Sequence, residues 1–242
     1  MRSGQFVKIA TLALGVALPL HHPGDEIEYE EYEVTDGGTI TGRVFFEGDF
    51  PEAHSIKTTA DVDVCGTRVE SEEFVVEADS RGLANVVLRI LDIGAGKPFA
   101  ESAAQLAQLG CRYAPHVAVV RAGEKLQIIN KDPILHNIHA YRGDDTEFNL
   151  AQPRQDQVTP KKIAPAGVVR VACDIHAWMQ GWVIVVDNPY VALTDASGRF
   201  EIADVPPGSY ALTMWHEVLG DVTKPVTVQA GGTSTVDFAI GD

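Results

Sequence analysis

The sequence predicts an all-β protein of sandwich or barrel type, on three observations. Strand-forming runs recur at intervals near ten residues, Gly, Pro and Asp turn sequences separate them, and helical periodicity is confined to one short segment. The 242 residues lie near the upper end for one domain and suffice for two small ones with real cores.

In chain order, residues 1–20 carry Arg2 and Lys8 and then an uncharged run from Ile9 to Leu20. That is the pattern of an export signal, and the run is too short to cross a bilayer unaided. No clean small-x-small triplet precedes His21, so the alternative is retention as an uncleaved anchor. Residues 21–37 form an acidic linker containing DEIEYEEYEVTD, too charged to bury. It is expected to be a flexible tether, with an acidic docking tail as the alternative.

From Gly38 onward the signals are β. Expected strands run from Thr39 to Phe46, Val86 to Leu91, His116 to Val120, Leu126 to Ile129, Val168 to Ala172 and Trp182 to Val186. The last third adds Phe200 to Ile202, Tyr210 to Trp215, Val226 to Gln229 and Thr235 to Ile240. Asp195-Ala196-Ser197-Gly198, Pro206-Pro207-Gly208 and Gly231-Gly232 supply turns between them. Residues 98–109 place Phe99, Ala103 and Leu106 on one helical face, with Pro98 at the start and Gly110 past the end, so one short helix is expected there.

Acidic residues number 34 against 19 Lys and Arg, a net charge of −15, and no basic run exceeds Lys161-Lys162. Nucleic-acid binding needs clustered positive charge and is disfavoured. The sequence has no G-x-S-x-G elbow, H-E-x-x-H pair or phosphate loop, so nothing supports hydrolysis and a non-enzyme is expected.

The informative segment is Cys173-Asp174-Ile175-His176-Ala177-Trp178-Met179, directly after an expected strand. A thiolate, an imidazole and a thioether at intervals of three residues suit copper, because zinc rarely recruits Met. A fourth ligand must come from elsewhere, and His136 lies about 37 residues upstream in the apolar stretch Asp132-Pro133-Ile134-Leu135-His136-Asn137.

These residues resemble the cupredoxins, in particular the amicyanin and plastocyanin group, over roughly 112–187. The resemblance implies a Greek-key sandwich holding one type 1 copper per chain. His136, Cys173 and His176 would be its equatorial ligands, Met179 its axial one, and Asn137 the residue that ties the two ligand loops together. It also implies that His176 is the ligand nearest the surface, with Ile134, Leu135, Ile175, Ala177 and Trp178 as an apolar rim for transient docking of a redox partner. Ile175 and Ala177 stand where relatives often carry Pro. His139 is expected to alternate off the ligand face, and His54, His116 and His216 are expected to be structural.

Three cysteines in an exported chain leave one unpaired. Cys65 and Cys111 can pair, closing a loop of about 46 residues worth on the order of 4 kcal/mol, and Cys173 is then the odd thiol. The alternative is two free buried cysteines. A binuclear copper centre would need a second thiolate on the ligand loop.

Residues 190–212, with Val205-Pro206-Pro207-Gly208, resemble the later half of a carboxypeptidase-regulatory-like, transthyretin-like sandwich, and Gly38 to Val44 resembles its opening strand. The expected division is therefore a cupredoxin copper domain at 98–187 and a smaller, discontinuous sandwich at 38–97 plus 188–242, with two domains in series as the alternative. The function implied is extracytoplasmic, periplasmic if bacterial: electron transfer through a mononuclear Cys/His2/Met copper site, with no membrane span in the mature chain. The alternatives are copper delivery or storage, and a surface- or carbohydrate-binding sandwich with accessory copper.

Overall fold

The computed structural model describes residues 29–48, 54–101 and 103–241. The expected export signal and the first part of the acidic linker lie outside the described residues. Among the described residues no helix is long and apolar enough to cross a membrane.

Two sandwiches stack on one another. The first has a five-stranded sheet in the order β12 (Asp145–Gln152), β11 (His136–Arg142), β14 (Gly167–Ala172), β15 (Gln180–Val186), β9 (Val117–Arg121). It faces a four-stranded sheet in the order β13 (Val158–Lys162), β10 (Lys125–Asn130), β7 (Gln105–Gln108), β8 (Tyr113–Ala114). Alternate residues of both sheets meet in one core, among them Leu106, Leu126 and Ile128 from one side and Ile138, Val171, Val183 and Val185 from the other.

The second sandwich draws on both ends of the chain. One sheet is β16 (Val191–Leu193), β5 (Val87–Ile90), β18 (Gly208–His216), β19 (Gly220–Val228). The other is β17 (Arg199–Val205), β2 (Gly38–Phe46), β20 (Thr233–Thr235), with β21 (Phe238–Ile240) also parallel to β2. Thus β2 pairs antiparallel with β17 and parallel with β20 and β21, while β5 lies between β16 and β18. Gly42 is required in β2 because an added Cβ would fall 1.9 Å from the carbonyl oxygen of Val236.

A third apolar cluster joins the sandwiches: Val87 and Trp215 from the second meet Val117, Ile184 and Val186 from the first. The Trp182 and Trp215 rings pack edge to face there, 5.2 Å apart. This junction explains why consecutive residues are buried at Val87-Leu88 in β5 and from Val183 to Val186 in β15, where both faces are covered and the period-2 alternation of a half-solvated strand is lost.

Two expectations need correction. Residues 98–109 form no helix: 105–108 are β7, parallel to β10, with Leu106 and Gln108 inward. Pairing to an open sheet edge outweighs a weak local propensity. A four-residue helix, α1 (Val62–Cys65), forms elsewhere. The acidic linker is not wholly a tether, since β1 (Glu30–Glu31) pairs with β6 (Ala95–Gly96), and Tyr29 packs against Phe99 and Tyr190 while donating to the Lys97 carbonyl at 2.8 Å. That half-buried aromatic anchor, with Glu31 3.2 Å from Arg121, offsets the acidity of the segment. The hairpin β3 (Ser55–Lys57) and β4 (Arg68–Glu70), with α1 between them, reaches the first sandwich, where Cys65 joins the core and Asp61 meets His176.

Candidate metal centre

His136 opens β11, and Cys173, His176 and Met179 lie on the turn between β14 and β15. The β11–β14 pairing sets His139 opposite Ala172 and so brings the two segments side by side. The turn is tight: the Met179 amide donates to the His176 carbonyl at 2.8 Å, and the Cys173 amide to the Met179 carbonyl at 3.2 Å. The hydroxyl of Tyr113 lies 2.8 Å from the Asn137 carbonyl and 2.9 Å from that of Ala172, bracing both ligand segments from the core.

His136, Cys173 and His176 present ligand atoms that all lie within 4.8 Å of one another, and all three are buried. The His176 Nδ1 is 3.6 Å from the Cys173 sulfur and 3.0 Å from the His136 Nδ1. Met179 is 1% exposed and packs in the same core as Cys173. Among the described residues Cys173 is the free cysteine, while Cys65 and Cys111 are joined by a disulfide across 46 residues. That bond removes Cys111 from the other potential ligand trio, Cys111, Asp132 and His136.

Each imidazole is held from behind by a carboxylate. His136 Nε2 lies 2.9 Å from Asp132, and His176 Nε2 lies 2.9 Å from Asp61. Asp132 is itself fixed by the amides of Gly110 and Cys111 at 2.8 and 2.9 Å. Asp61 caps α1, its own carbonyl accepting from the amides of Val64 and Cys65. The disulfide therefore ties together the segments that carry the two carboxylates. With the Nε2 protons directed at carboxylates, both Nδ1 lone pairs face the thiol. Burial lowers the pKa of His136, which keeps that ring neutral as a ligand must be.

Asn137 spans the ligand loops. Its Oδ1 accepts from the Asp174 amide at 2.7 Å and lies 3.2 Å from the Cys173 sulfur, and its Nδ2 donates to Asp174 and Asn149 at 2.8 Å. His139 points away from the centre to Asp174, Thr146 and Tyr141. Its contact is the first reason that the Asp174 carboxyl sits below its ordinary pKa.

The expectation that His176 is the ligand nearest the surface does not hold: it is 0% exposed, beneath Asp61 and the α1 hairpin. Its ring packs edge to face on Trp178, which is half-buried and donates to the Cys111 carbonyl at 3.1 Å. Of the expected apolar rim, Leu135, Ile175 and Ala177 are exposed and Ile134 and Trp178 are half-buried. Sequence reasoning missed Asp61 and Asp132. Asp132 lies four residues before His136 and was within reach, whereas Asp61 is separated from His176 by 115 residues.

The donor set fits copper. Two imidazole Nδ1 atoms 3.0 Å apart, beside an unpaired buried thiol and a buried thioether, are soft and borderline ligands. The carboxylates behind the histidines fix their tautomers as in carboxylate–histidine–metal arrangements.

The family described as Carboxypeptidase regulatory-like domain matches residues 167–241. The match begins within the five-stranded sheet, since β14 and β15 pair with β11 and β9, and then runs through β16 to β21 of the second sandwich. No curated protein matches the chain. Among solved structures, a mutant of amicyanin with Cu(I) is 25% identical over 36% of this chain and 85% of that one, with a TM-score of 0.32. The novel purple cupredoxin from Nitrosopumilus maritimus is 20% identical over 34% of this chain and 99% of its own, with a TM-score of 0.29. The copper-containing nitrite reductase from Thermus scotoductus SA-01 is 17% identical over 40% of this chain and 25% of its own, with a TM-score of 0.32. About a third of the chain is thus similar to amicyanin and to that purple cupredoxin, and residues 167–241 are similar to the carboxypeptidase regulatory-like domain.

Proposed function

We propose that the protein is an exported electron carrier with one type 1 copper per chain, which His136 Nδ1, His176 Nδ1, the Cys173 thiolate and Met179 would hold. One observation carries this reading: two carboxylate-oriented imidazole nitrogens converge with a single unpaired thiol in a buried pocket. Bound there, copper would supply one-electron chemistry between Cu(II) and Cu(I).

The protein's own part is to hold one geometry for both oxidation states. Asn137 fixes the ligand loops to each other, Tyr113 fixes them to the core, and Asp61 and Asp132 fix the rings. The pocket is closed to water, with His136 and His176 0% and Cys173 3% exposed. Since Asp61 covers the outer edge of His176, the electron route that fits is Trp178, edge-on to that ring at 5.1 Å. Leu135 and Ile175, exposed on the loops that carry His136 and His176, suit a small, transient interface with a redox protein.

The domain division that accompanies this reading places the copper unit at 98–187, inserted into a sandwich of 38–97 plus 188–242. Pairing of β2 with β17, β20 and β21 supports the insertion, and the α1 hairpin is a strap from the outer sandwich over the copper unit.

The burial of His176 favours a second reading, copper delivery or storage without a redox partner. Absorption after copper loading separates the two. A carrier gives an intense visible thiolate-to-Cu(II) band that vanishes in Cys173→Ser, whereas a Cu(I) handler stays colourless in air. A band unchanged by Cys173→Ser would remove the assignment altogether.

A further inference from the structure

A second histidine–carboxylate cluster lies outside the Cys173 centre. His116 precedes β9 at the junction of the two sandwiches and the α1 hairpin. Its Nε2 is hydrogen-bonded to Glu217 Oε1. The other Glu217 oxygen accepts from the Trp182 indole at 2.8 Å and from Gln180 at 3.3 Å, and the Glu217 side chain is 3% exposed. A buried carboxylate so placed is an acceptor at both oxygens, so the proton of His116 sits on Nε2 and the lone pair on Nδ1. That Nδ1 is buried and has no hydrogen-bond partner, although the His116 side chain is only 6% exposed.

His116 lines a cavity of about 390 Å³. The group nearest its Nδ1 across this space is Glu72, whose Oε2 is 4.0 Å away. That is too far for a hydrogen bond. A tetrahedral ion bonded to an imidazole nitrogen and a carboxylate oxygen at about 2.1 Å each spans about 3.4 Å, which a small rotation of the partly exposed Glu72 side chain reaches. Four carboxylates line the cavity, Glu70, Glu72, Glu73 and Glu217, against two cations, Lys57 and Arg112, which favours a positive guest. The arrangement repeats what Asp132 does to His136 and Asp61 does to His176: a carboxylate holds Nε2 and frees Nδ1.

We propose that this cavity is a second metal site, taking a divalent transition-metal ion on His116 Nδ1 and the Glu72 carboxylate, with Glu217 as the residue that orients the imidazole. The imidazole donor selects a transition ion over calcium or magnesium, which prefer oxygen ligands alone. The cavity borders the Cys173 loop, with Ala177, Trp178 and Met179 in its lining, but His116, Glu72 and Glu217 are not among the residues proposed to hold copper.

The test is zinc retention by the full chain, read by equilibrium dialysis and metal analysis, with Zn2+ as the probe. Wild type and Cys173→Ser should each retain a zinc ion that His116→Gln abolishes and Glu72→Gln weakens at least about tenfold. His116→Gln leaves Glu217 buried without its partner and can compromise folding. Glu72 is 31% exposed at its side chain, so Glu72→Gln leaves the core intact and carries the decision. In parallel, zinc should raise the melting temperature of Cys173→Ser and fail to raise that of the Cys173→Ser, Glu72→Gln double variant. No zinc retained in Cys173→Ser, or retention indifferent to Glu72→Gln, overturns the site. Neither outcome bears on copper at Cys173, whose spectrum is read separately.

Discussion

The carboxylate of Asp61 lies 2.9 Å from Nε2 of His176, although 115 residues separate them. One residue on an outer hairpin thereby closes the candidate copper pocket and sets the tautomer of a ligand. Asp61→Ala should reduce copper affinity by about 10–100-fold, the usual effect of removing a carboxylate behind a ligating histidine. Competition with a chelator of known affinity reads this directly, and an affinity equal to wild type would mean that the contact is ornamental.

The Cys65–Cys111 bond anchors that hairpin. Thiol labelling of the unfolded chain before reduction should tag Cys173 alone, with Cys65 and Cys111 appearing only after reductant. Cys65→Ala should cost about 4 kcal/mol by the chain-entropy account and loosen the cover over His176 as well. Three thiols labelled at once would contradict the bond.

Met179 is expected to tune more than to hold. Met179→Gln should retain copper and shift its reduction potential, because a weak axial ligand acts on the energy difference between oxidation states. Redox titration of the copper-loaded variant checks this, and outright loss of the metal would show that Met179 is a principal ligand.

His216 predicts an acid limb in stability. Burial, opposed by the Glu217 carboxylate and reinforced by His116, lowers its pKa from 6.5 to about 4. Between these values the unfolded chain binds the proton that the native chain refuses. The contribution to stability is therefore complete above pH 6.5 and is lost as pH falls towards 4. Its size is about 3 kcal/mol. His216→Leu should flatten urea-midpoint stability of the metal-free protein over that window, and an unaltered slope would assign the acid sensitivity elsewhere.

What could be read in advance divides along sequence distance. The Cys173, His176 and Met179 spacing is local and visible in the chain, as are the turns and most strands. Leu106 misled, because an apolar residue at helical spacing looks the same when it sits on a parallel strand against β10. Val87 and Ile184 hid the junction, since a strand buried on both faces shows no alternation. Asp61 was out of reach for a different reason: no local pattern announces a carboxylate whose partner is brought to it by a disulfide and another domain's fold.

The pairing of β2 with β20 and β21 sets a timetable for the chain. Val44 meets Phe238 only after nearly everything between them exists, so the outer sandwich has high contact order and its loop must close around a large intervening body. The strands from β7 to β15 need no such wait, since each pairs within that stretch. Folding of a nascent chain would therefore begin in the middle and be sealed at the ends. Until β20 and β21 arrive, β2 offers an unpaired edge to any neighbour, so strands more than 180 residues downstream guard it against aggregation.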